Sequence, residues 1–102
     1  MSVYRLKILT PEEKIYDNEV GGVTVTCEDG TITVLAGHAP MVAMLIDGPV
    51  VVNAPHEVIT GTAGRGVLKV EHNEAVIMVH SFAWIGNDLE DSKEPEADDL
   101  ML

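Results

Sequence analysis

Short apolar runs, separated at regular intervals by turn residues, are the feature of this sequence that most limits its fold. One run, Val23-Thr24-Val25-Thr26, is β-branched throughout, and such side chains pack well on the pleated surface of a strand. Close behind it, Glu28-Asp29-Gly30-Thr31 contains the Asp-Gly pair that favours a tight hairpin turn. Because comparable turn signals recur about every 6 to 12 residues, the pattern predicts about nine or ten short strands and an all-β sandwich or barrel.

Single segments give more local expectations. Val3 to Leu9 alternates with the period of a half-buried strand, and Ala75 to Val79 is the most apolar run, which indicates a central strand. Residues 12–16 are compatible with the start of a helix or with a short strand. Asp17-Asn18 is expected to turn the chain, and Met41 to Ile46 is continuously apolar, as in a segment covered on both sides.

Length and composition indicate a small folded protein. A chain of 102 residues allows one domain with a modest core, and a hydrophobic content of 46% with few aromatic residues suits strands and argues against disorder. The single cysteine, Cys27, excludes an intrachain disulfide and indicates a reducing compartment. There is no apolar run of about 18 residues and no signal-peptide core at the start, so we expect a soluble, intracellular protein without direct membrane insertion.

Charge distinguishes the last residues from the rest. The formal net charge is −11 with only six lysine and arginine residues, so nucleic acid is not an expected partner. From Ile85 onward the sequence is acidic, contains Pro95 and lacks a sustained apolar period. We therefore predict a folded domain over residues 1–84 and an acidic, mostly disordered tail over residues 85–102. The apolar Leu100-Met101-Leu102 could fold back on the domain or contact a partner.

The sequence shows no catalytic or metal-binding pattern. The four histidines, at positions 38, 56, 72 and 80, lack the spacing of metal ligands. Cys27 shares a strand face with Val23 and Val25, which indicates a small core residue and not a nucleophile. Gly61-Thr62-Ala63-Gly64-Arg65-Gly66 lacks the Gly-Lys-Ser/Thr ending of a phosphate-binding loop and is interpreted as a hairpin turn. We therefore expect no catalytic residue, no cofactor and no metal.

A glycine and a proline frame a corner at Leu35-Ala36-Gly37-His38-Ala39-Pro40-Met41. Gly37 can adopt backbone angles closed to other residues, and Pro40 fixes its own φ and pushes Ala39 towards an extended conformation. The small residues let the chain cross from one layer of strands to another. The corner is therefore expected to be rigid and to present His38 as its one large polar group.

This corner and other stretches in the same order resemble the ε subunit of rotary F-type ATP synthases. The stretches are Leu6-Lys7-Ile8-Leu9-Thr10-Pro11 with Lys14-Ile15-Tyr16, then Glu28-Asp29-Gly30, then Gly-His-Ala-Pro at 37–40, then Thr62-Ala63-Gly64-Arg65-Gly66-Val67-Leu68. The resemblance covers roughly Val3 to Trp84 and implies a sandwich or flattened barrel of two sheets with about five strands each. Longer members continue into a C-terminal helical hairpin, which this chain is too short to hold. We expect a short form without their inhibitory and nucleotide-sensing roles.

The resemblance also implies a function and two contact surfaces. The chain is expected to be a non-catalytic central-stalk subunit that links the γ subunit to the c-ring and couples ion-driven rotation to ATP synthesis or hydrolysis. Its implied location is cytoplasmic, peripheral to the inner face of the energy-transducing plasma membrane. By position in the family motifs, the γ side comprises Thr10, His38, Met41 and Ala43, and the c-ring side comprises Glu28, Asp29, Gly30 and Thr31. Thr31 departs from the pattern, since several members carry an acid there.

Each of these residues also has a plain structural interpretation. Thr10 can end a strand, His38 can cap a corner, and the acidic turn can be a solvated hairpin. Met41, Val42 and Met44 can belong to the core or to an apolar patch on γ. Two other functions remain compatible with the sequence. One is a ligand-binding or enzymatic sandwich with His38 in a pocket that faces an acid or a second histidine. The other is an adaptor whose acidic tail binds a basic partner.

Overall fold

The structure, a computed structural model, describes residues 2–88. The residues from Leu89 onward, which make up most of the predicted tail, lie outside the described residues. Residues 2–88 form ten strands and contain no helix. The strands are β1 (Tyr4–Leu9), β2 (Lys14–Val20), β3 (Gly22–Cys27), β4 (Gly30–Leu35), β5 (Met41–Leu45), β6 (Gly48–Ala54), β7 (Glu57–Ala63), β8 (Gly66–Glu71), β9 (Glu74–Val79) and β10 (Phe82–Asp88).

The strands pair into one continuous sheet in the order β10-β7-β6-β3-β5-β8-β9-β1-β2, and β4 pairs with β3 beside this path. All pairs are antiparallel except that of β1 with β9. A single residue pair, Cys27 with Leu45, joins β3 to β5. The sheet therefore consists of two five-stranded halves that meet at this pair. The predicted all-β sandwich or flattened barrel of two roughly five-stranded sheets is confirmed.

The two halves enclose one hydrophobic core, and its residues follow the alternation of the strands. In β1, Tyr4, Leu6 and Ile8 are buried. The Tyr4 hydroxyl donates a hydrogen bond of 2.8 Å to the carbonyl of Val34 and so ties β1 to β4, and burial raises the pKa of Tyr4 to about 12. β9 lies between β8 and β1 with every second residue buried, as predicted for the most apolar run.

The course of β2 differs from the local expectation. We predicted a turn at Asp17-Asn18, but both residues lie within β2, which pairs with β1 along its length. Arg5 Nε of β1 donates to Asp17 Oδ1 at 2.6 Å and so links the two strands, and Lys14 Nζ of β2 itself donates to Asp17 Oδ2 at 3.0 Å. The chain turns only at Gly21, between β2 and β3. The turn prediction was wrong because the Asp17 side chain does not cap a turn. It binds Arg5 on the neighbouring strand β1 and Lys14 at the start of β2.

Two segment boundaries follow from pairing. Of the two alternatives for residues 12–16, the strand is correct and begins at Lys14.

At the other end of the chain, β10 pairs with β7 from Phe82 opposite Ala63 to Asp88 opposite Val58. Residues 85–88 therefore belong to the sheet, beyond the boundary predicted after residue 84. The division into a domain and an acidic tail otherwise stays a prediction.

We expect Asp17→Asn to remove part of the acid sensitivity of folding. Hydrogen bonds from Arg5 and Lys14 lower the pKa of Asp17 from 3.8 to about 2. Because the unfolded chain then binds the proton more readily than the folded chain, this carboxylate stabilises the fold above about pH 4 and loses that effect as the pH falls towards 2. Urea unfolding of both proteins at several pH values measures the difference in their free energies of unfolding. That difference should shrink steadily towards pH 2, and a constant difference would contradict the assignment.

Candidate functional site

The side chains of β5 divide between the core and the outer surface. Met41 and Ala43 are half-buried and pack against the core. Val42 and Met44 point the other way and are 65% and 70% exposed. Of the two interpretations given for Met41, Val42 and Met44, the core holds for Met41, and an exposed apolar patch holds for Val42 and Met44. The expectation that Met41 to Ile46 is covered on both sides was wrong, because the outer side of β5 is open.

Pairing with the neighbouring strands extends this patch. Met44 lies opposite Val67 of β8, Val67 lies opposite Met78 of β9, and Met78 lies opposite Leu9 of β1. Residues paired across strands point to the same side of a sheet, so these four side chains form one row on the outer surface. We call Leu9, Val42, Met44, Val67 and Met78 the methionine face.

The methionine face is an apolar surface with a charged border. Met78 is 42% exposed in the middle of it. Two ion pairs flank it, Lys7 with Glu74 at 3.2 Å and Lys69 with Glu71 at 3.0 Å. Exposed apolar groups rimmed by polar ones mark protein-contact sites, and methionine adapts to irregular partner surfaces. The arrangement fits a protein partner better than a small ligand.

The predicted corner lies where β5 begins, at one end of the methionine face. The N–H of His38 donates to the carbonyl of Leu35 at 3.1 Å, and Gly37 has a φ of 85°, so the turn requires glycine there. The imidazole is exposed, with Nδ1 2.8 Å from the carbonyl oxygen of Ala39. The hollow beside it has a volume of about 10 Å³, room for one water molecule at most. The corner therefore offers His38 to a partner surface and not to a substrate in a pocket, as the enzymatic alternative requires.

Thr10 lies at the opposite end of the methionine face, directly after Leu9. Its N–H donates to the carbonyl of Glu13 at 3.0 Å, and the N–H of Glu13 donates to the Thr10 hydroxyl at 3.3 Å. These bonds close the turn between β1 and β2, so Thr10 has the strand-ending role given above as its structural interpretation. It lines the same hollow as Met78, whereas His38 lies at the start of β5. Thr10 and His38 therefore bracket the methionine face.

The acidic turn, Glu28-Asp29-Gly30-Thr31, forms a separate surface at the end of the barrel. Its first strand ends at Cys27, opposite Leu45 at the end of β5, so the turn lies at the same barrel end as Thr10. Gly30 has a φ of 126°, which side chains rarely adopt, so the Asp-Gly pair is needed for this geometry. All four residues are exposed, and no described residue forms an ion pair with either carboxylate of the turn. The turn therefore presents negative charge to whatever lies beyond this end.

A second exposed apolar site, which sequence reasoning missed, lies between the edges of β2 and β10. Ile15, Tyr16, Ile59, Trp84 and Ile85 line a groove with a volume of about 410 Å³. The ring centroids of Tyr16 and Trp84 are 5.7 Å apart in an edge-to-face arrangement. Ile85 is 66% exposed and is the extra residue of a bulge in β10. A bulge depends on pairing with a strand that is distant in sequence, so the residues around Ile85 do not by themselves predict it.

The described residues present contact surfaces and do not group side chains in the way that metal binding requires. Within residues 2–88, no group of three or more His, Cys, Asp or Glu side chains is arranged to hold a metal ion. All four histidines are exposed and lie outside the strands. The same residues include no helix that is long and apolar enough to reach across a bilayer.

Comparison with known protein families identifies the domain. The sequence model of the beta-sandwich domain of the ATP synthase Delta/Epsilon chain matches residues 3–85. The chain belongs to this family. The match includes all of β1 to β9, so the family domain contains both the methionine face and the acidic turn.

Relatives with this domain carry the name ATP synthase epsilon chain. The one from Protochlamydia amoebophila is 35% identical over 77 residues, which are 74% of this chain and 52% of the relative. The one from Micrococcus luteus is 33% identical over 82 residues, which are 79% of this chain and 90% of the relative. The chain therefore spans about half the length of the first relative and most of the second.

Solved structures contain the same fold. A chain of the Euglena gracilis mitochondrial ATP synthase superposes with a TM-score of 0.77 at 21% identity, covering 82% of this chain and 54% of that chain. A chain of the Tetrahymena thermophila mitochondrial ATP synthase, from its central stalk and c-ring, gives a TM-score of 0.69 at 16% identity, covering 78% and 64%. At these identities the likeness establishes the fold alone.

Within the family domain, the residues predicted for the γ side do not all reach the surface. Thr10 and His38 do, at the two ends of the methionine face, while the other two pack inward from β5. Sequence reasoning also missed Val67 and Met78. Alternation within β8 and β9 says which residues share a face, but it does not say that these strands lie beside β5.

Proposed function

We propose that this chain is a non-catalytic subunit of the central stalk of an F-type ATP synthase. It would link the γ subunit to the c-ring and couple ion-driven rotation to ATP synthesis or hydrolysis. The observation that carries the proposal is the methionine face, an exposed apolar surface on a domain of the Delta/Epsilon family. The relatives named ATP synthase epsilon chain and the fold shared with chains of mitochondrial ATP synthases support it. The chain contributes surfaces and rigidity to the complex, without a cofactor of its own.

On the γ side, the proposal uses the methionine face with Thr10 and His38 at its two ends. The outward-facing side chains of β5, β8 and β9 provide the apolar area, and Met41 and Ala43 hold β5 against the core from behind. Burying apolar area stabilises a complex by about 25 cal/mol per Å² before the costs of association are subtracted. An obligate interface of this kind buries more than about 2,000 Å², so γ must also contact residues around the face.

On the c-ring side, the proposal uses Glu28, Asp29, Gly30 and Thr31 at the end of the barrel. The two carboxylates suit basic or polar loops, and Thr31 offers a hydroxyl where several relatives have an acid. The turn is carried by β3 and β4, and β3 also pairs with β5 and β6. A force applied at the turn therefore passes to the methionine face through paired strands and a close-packed core that deforms little.

In this role the chain lies in the cytoplasm, peripheral to the inner face of the plasma membrane, and its partners hold it there.

The folded unit comprises the domain predicted over residues 1–84, and the acidic tail predicted from residue 85 follows it. The extension of β10 to Asp88 favours a boundary a few residues later than the sequence suggested.

Affinity purification from the native cells tests the proposed function. A tagged chain is expressed, the membranes are solubilised gently, and the recovered proteins are identified by mass spectrometry. We expect the γ, α, β and c subunits of an ATP synthase, absent from a parallel preparation that carries the tag on an unrelated β-sandwich. Recovery of soluble proteins alone, without any ATP synthase subunit, would overturn the proposal.

A further inference from the structure

The barrel end that carries Thr10 has a hollow lined by both apolar and basic side chains. Its volume is about 430 Å³, and its lining includes Leu9, Thr10, Pro11, Met78 and the basic side chains of Arg65 and His80. Four of the five lysine and arginine side chains in residues 2–88 form ion pairs with carboxylates, and Arg65 is the exception. The hollow therefore combines apolar walls with an unpaired guanidinium, in a chain whose net charge is −11.

Backbone contacts fix the loop segments that carry the two basic residues. The N–H of His80 donates to the carbonyl of Arg65 at 3.0 Å, and the N–H of Gly64 donates to the carbonyl of Ser81 at 2.9 Å. The loop also approaches β9 closely, because a Cβ added at Gly66 would lie 2.1 Å from a carbonyl oxygen of that strand. The backbone around the hollow is therefore held in place, so the ordering needed when an occupant binds is confined to side chains and to the occupant.

We propose that the acidic segment of this same chain, residues 89–102, docks in this hollow. The segment has six acidic side chains and one lysine, and it contains the apolar Leu100-Met101-Leu102. Carboxylates form paired hydrogen bonds with a guanidinium, and Glu96, Asp98 and Asp99 lie just before the apolar residues. The carboxylates pair with Arg65, and the apolar side chains cover the walls of the hollow.

The length of the segment allows this contact. β10 runs antiparallel to β7, so Asp88 lies beside the start of β7, whereas Arg65 follows the end of β7. The seven residues of β10 rise about 3.3 Å each, so the segment must travel back roughly 23 Å. The ten residues 89–98 can span about 33 Å when extended, which is enough.

Charge directs the segment away from the other apolar site. The groove at Trp84 is nearer to Asp88, but the residues that line it are apolar or aromatic and include no basic side chain. The hollow at Arg65 has a guanidinium that attracts a carboxylate.

Docking at Arg65 also covers part of the methionine face, since Leu9 and Met78 belong to both. The acidic segment would then compete with the γ subunit for that face. This consequence rests on the proposed function, but the docking itself does not, and the test below contains no γ subunit.

Paramagnetic broadening in the full-length chain tests the docking. A nitroxide is attached at Ala97→Cys in a Cys27→Ser background, and the loss of amide signal is measured against the reduced label. We expect the strongest loss of signal at Thr10, Arg65 and His80, weaker loss at Trp84, and little loss at His38 at the opposite end of the methionine face. The loss should disappear in about 1 M salt, where the Debye length is about 3 Å.

Charge variants make the test specific to Arg65. Arg65→Glu should abolish the broadening, and adding Asp98→Lys and Asp99→Lys to it should restore the broadening. Lys69→Glu is the matched control, because it makes the same charge change on β8 and should leave the broadening in place. Arg65→Gln serves in place of the reversal if that variant does not fold. Broadening that is absent, that centres on Trp84, that survives Arg65→Glu or that is equally lost in Lys69→Glu would overturn the proposal.

Discussion

Met44→Glu should lower the affinity of this chain for the γ subunit by about 100-fold or more, equivalent to about 2.7 kcal/mol. The side chain is 70% exposed in the free chain, so a carboxylate there remains hydrated and the free energy of unfolding should change by no more than about 0.5 kcal/mol. In the proposed complex the same carboxylate is removed from water among apolar side chains, and burying a charge among apolar groups is costly.

Titration calorimetry of the purified chain with purified γ measures this loss. Ile85→Glu is the matched control, because Ile85 is 66% exposed and apolar but lies in the groove at Trp84, away from the methionine face. The account predicts a large loss for Met44→Glu and little change for Ile85→Glu. Equal losses, or a loss confined to Ile85→Glu, would place the γ contact elsewhere.

Gly66→Ala should reduce the free energy of unfolding by about 2–4 kcal/mol. An added Cβ would lie 2.1 Å from the carbonyl oxygen of Met78 and 2.7 Å from the Cα of Val79. Both atoms belong to the backbone of β9, so rotation of a side chain cannot relieve the contact. β8 and β9 would have to separate at this point, close to buried core residues on both strands. The effect is a large fraction of the total stability of a small domain, which is about 5–15 kcal/mol.

Gly86→Ala provides the matched control for Gly66→Ala. Gly86 is also a strand glycine, but a Cβ there would meet nothing within 4 Å, and its φ is not in the left-handed region. We expect a change within about 0.5 kcal/mol by urea unfolding. Similar losses for the two variants would show that the close approach of β8 to β9 does not limit stability.

The parts of the fold that the sequence predicted are those fixed by local chemistry. The β-branched run at residues 23–26 forms β3, the Asp-Gly pair forms its hairpin turn, and Gly37 has the positive φ that the corner requires. Each depends on conformational preferences of a few neighbouring residues. The ten strands of residues 2–88 also agree with the number of turn signals in the sequence.

The parts that the sequence did not predict depend on distant partners. Asp17 lies in a strand that pairs with β1 and accepts a hydrogen bond from Arg5 of β1, which the local Asp-Asn pair does not reveal. The apolar run of β5 lacks an apolar–polar alternation, so it could not show that Met44 points outward and Met41 inward. The groove at Trp84 arises where the two edges of the sheet approach, and that approach is a property of the whole fold.

Site-specific photo-crosslinking in the assembled complex tests the central claim most directly. A photoreactive amino acid replaces Val42 on the methionine face, Asp29 in the acidic turn, or Ile85 as the control position outside both surfaces. The account predicts that position 42 links to γ, that position 29 links to subunit c, and that position 85 links to neither. Links from position 42 to subunit c and from position 29 to γ, or no link from position 42 in an intact complex, would contradict the assignment of the two surfaces.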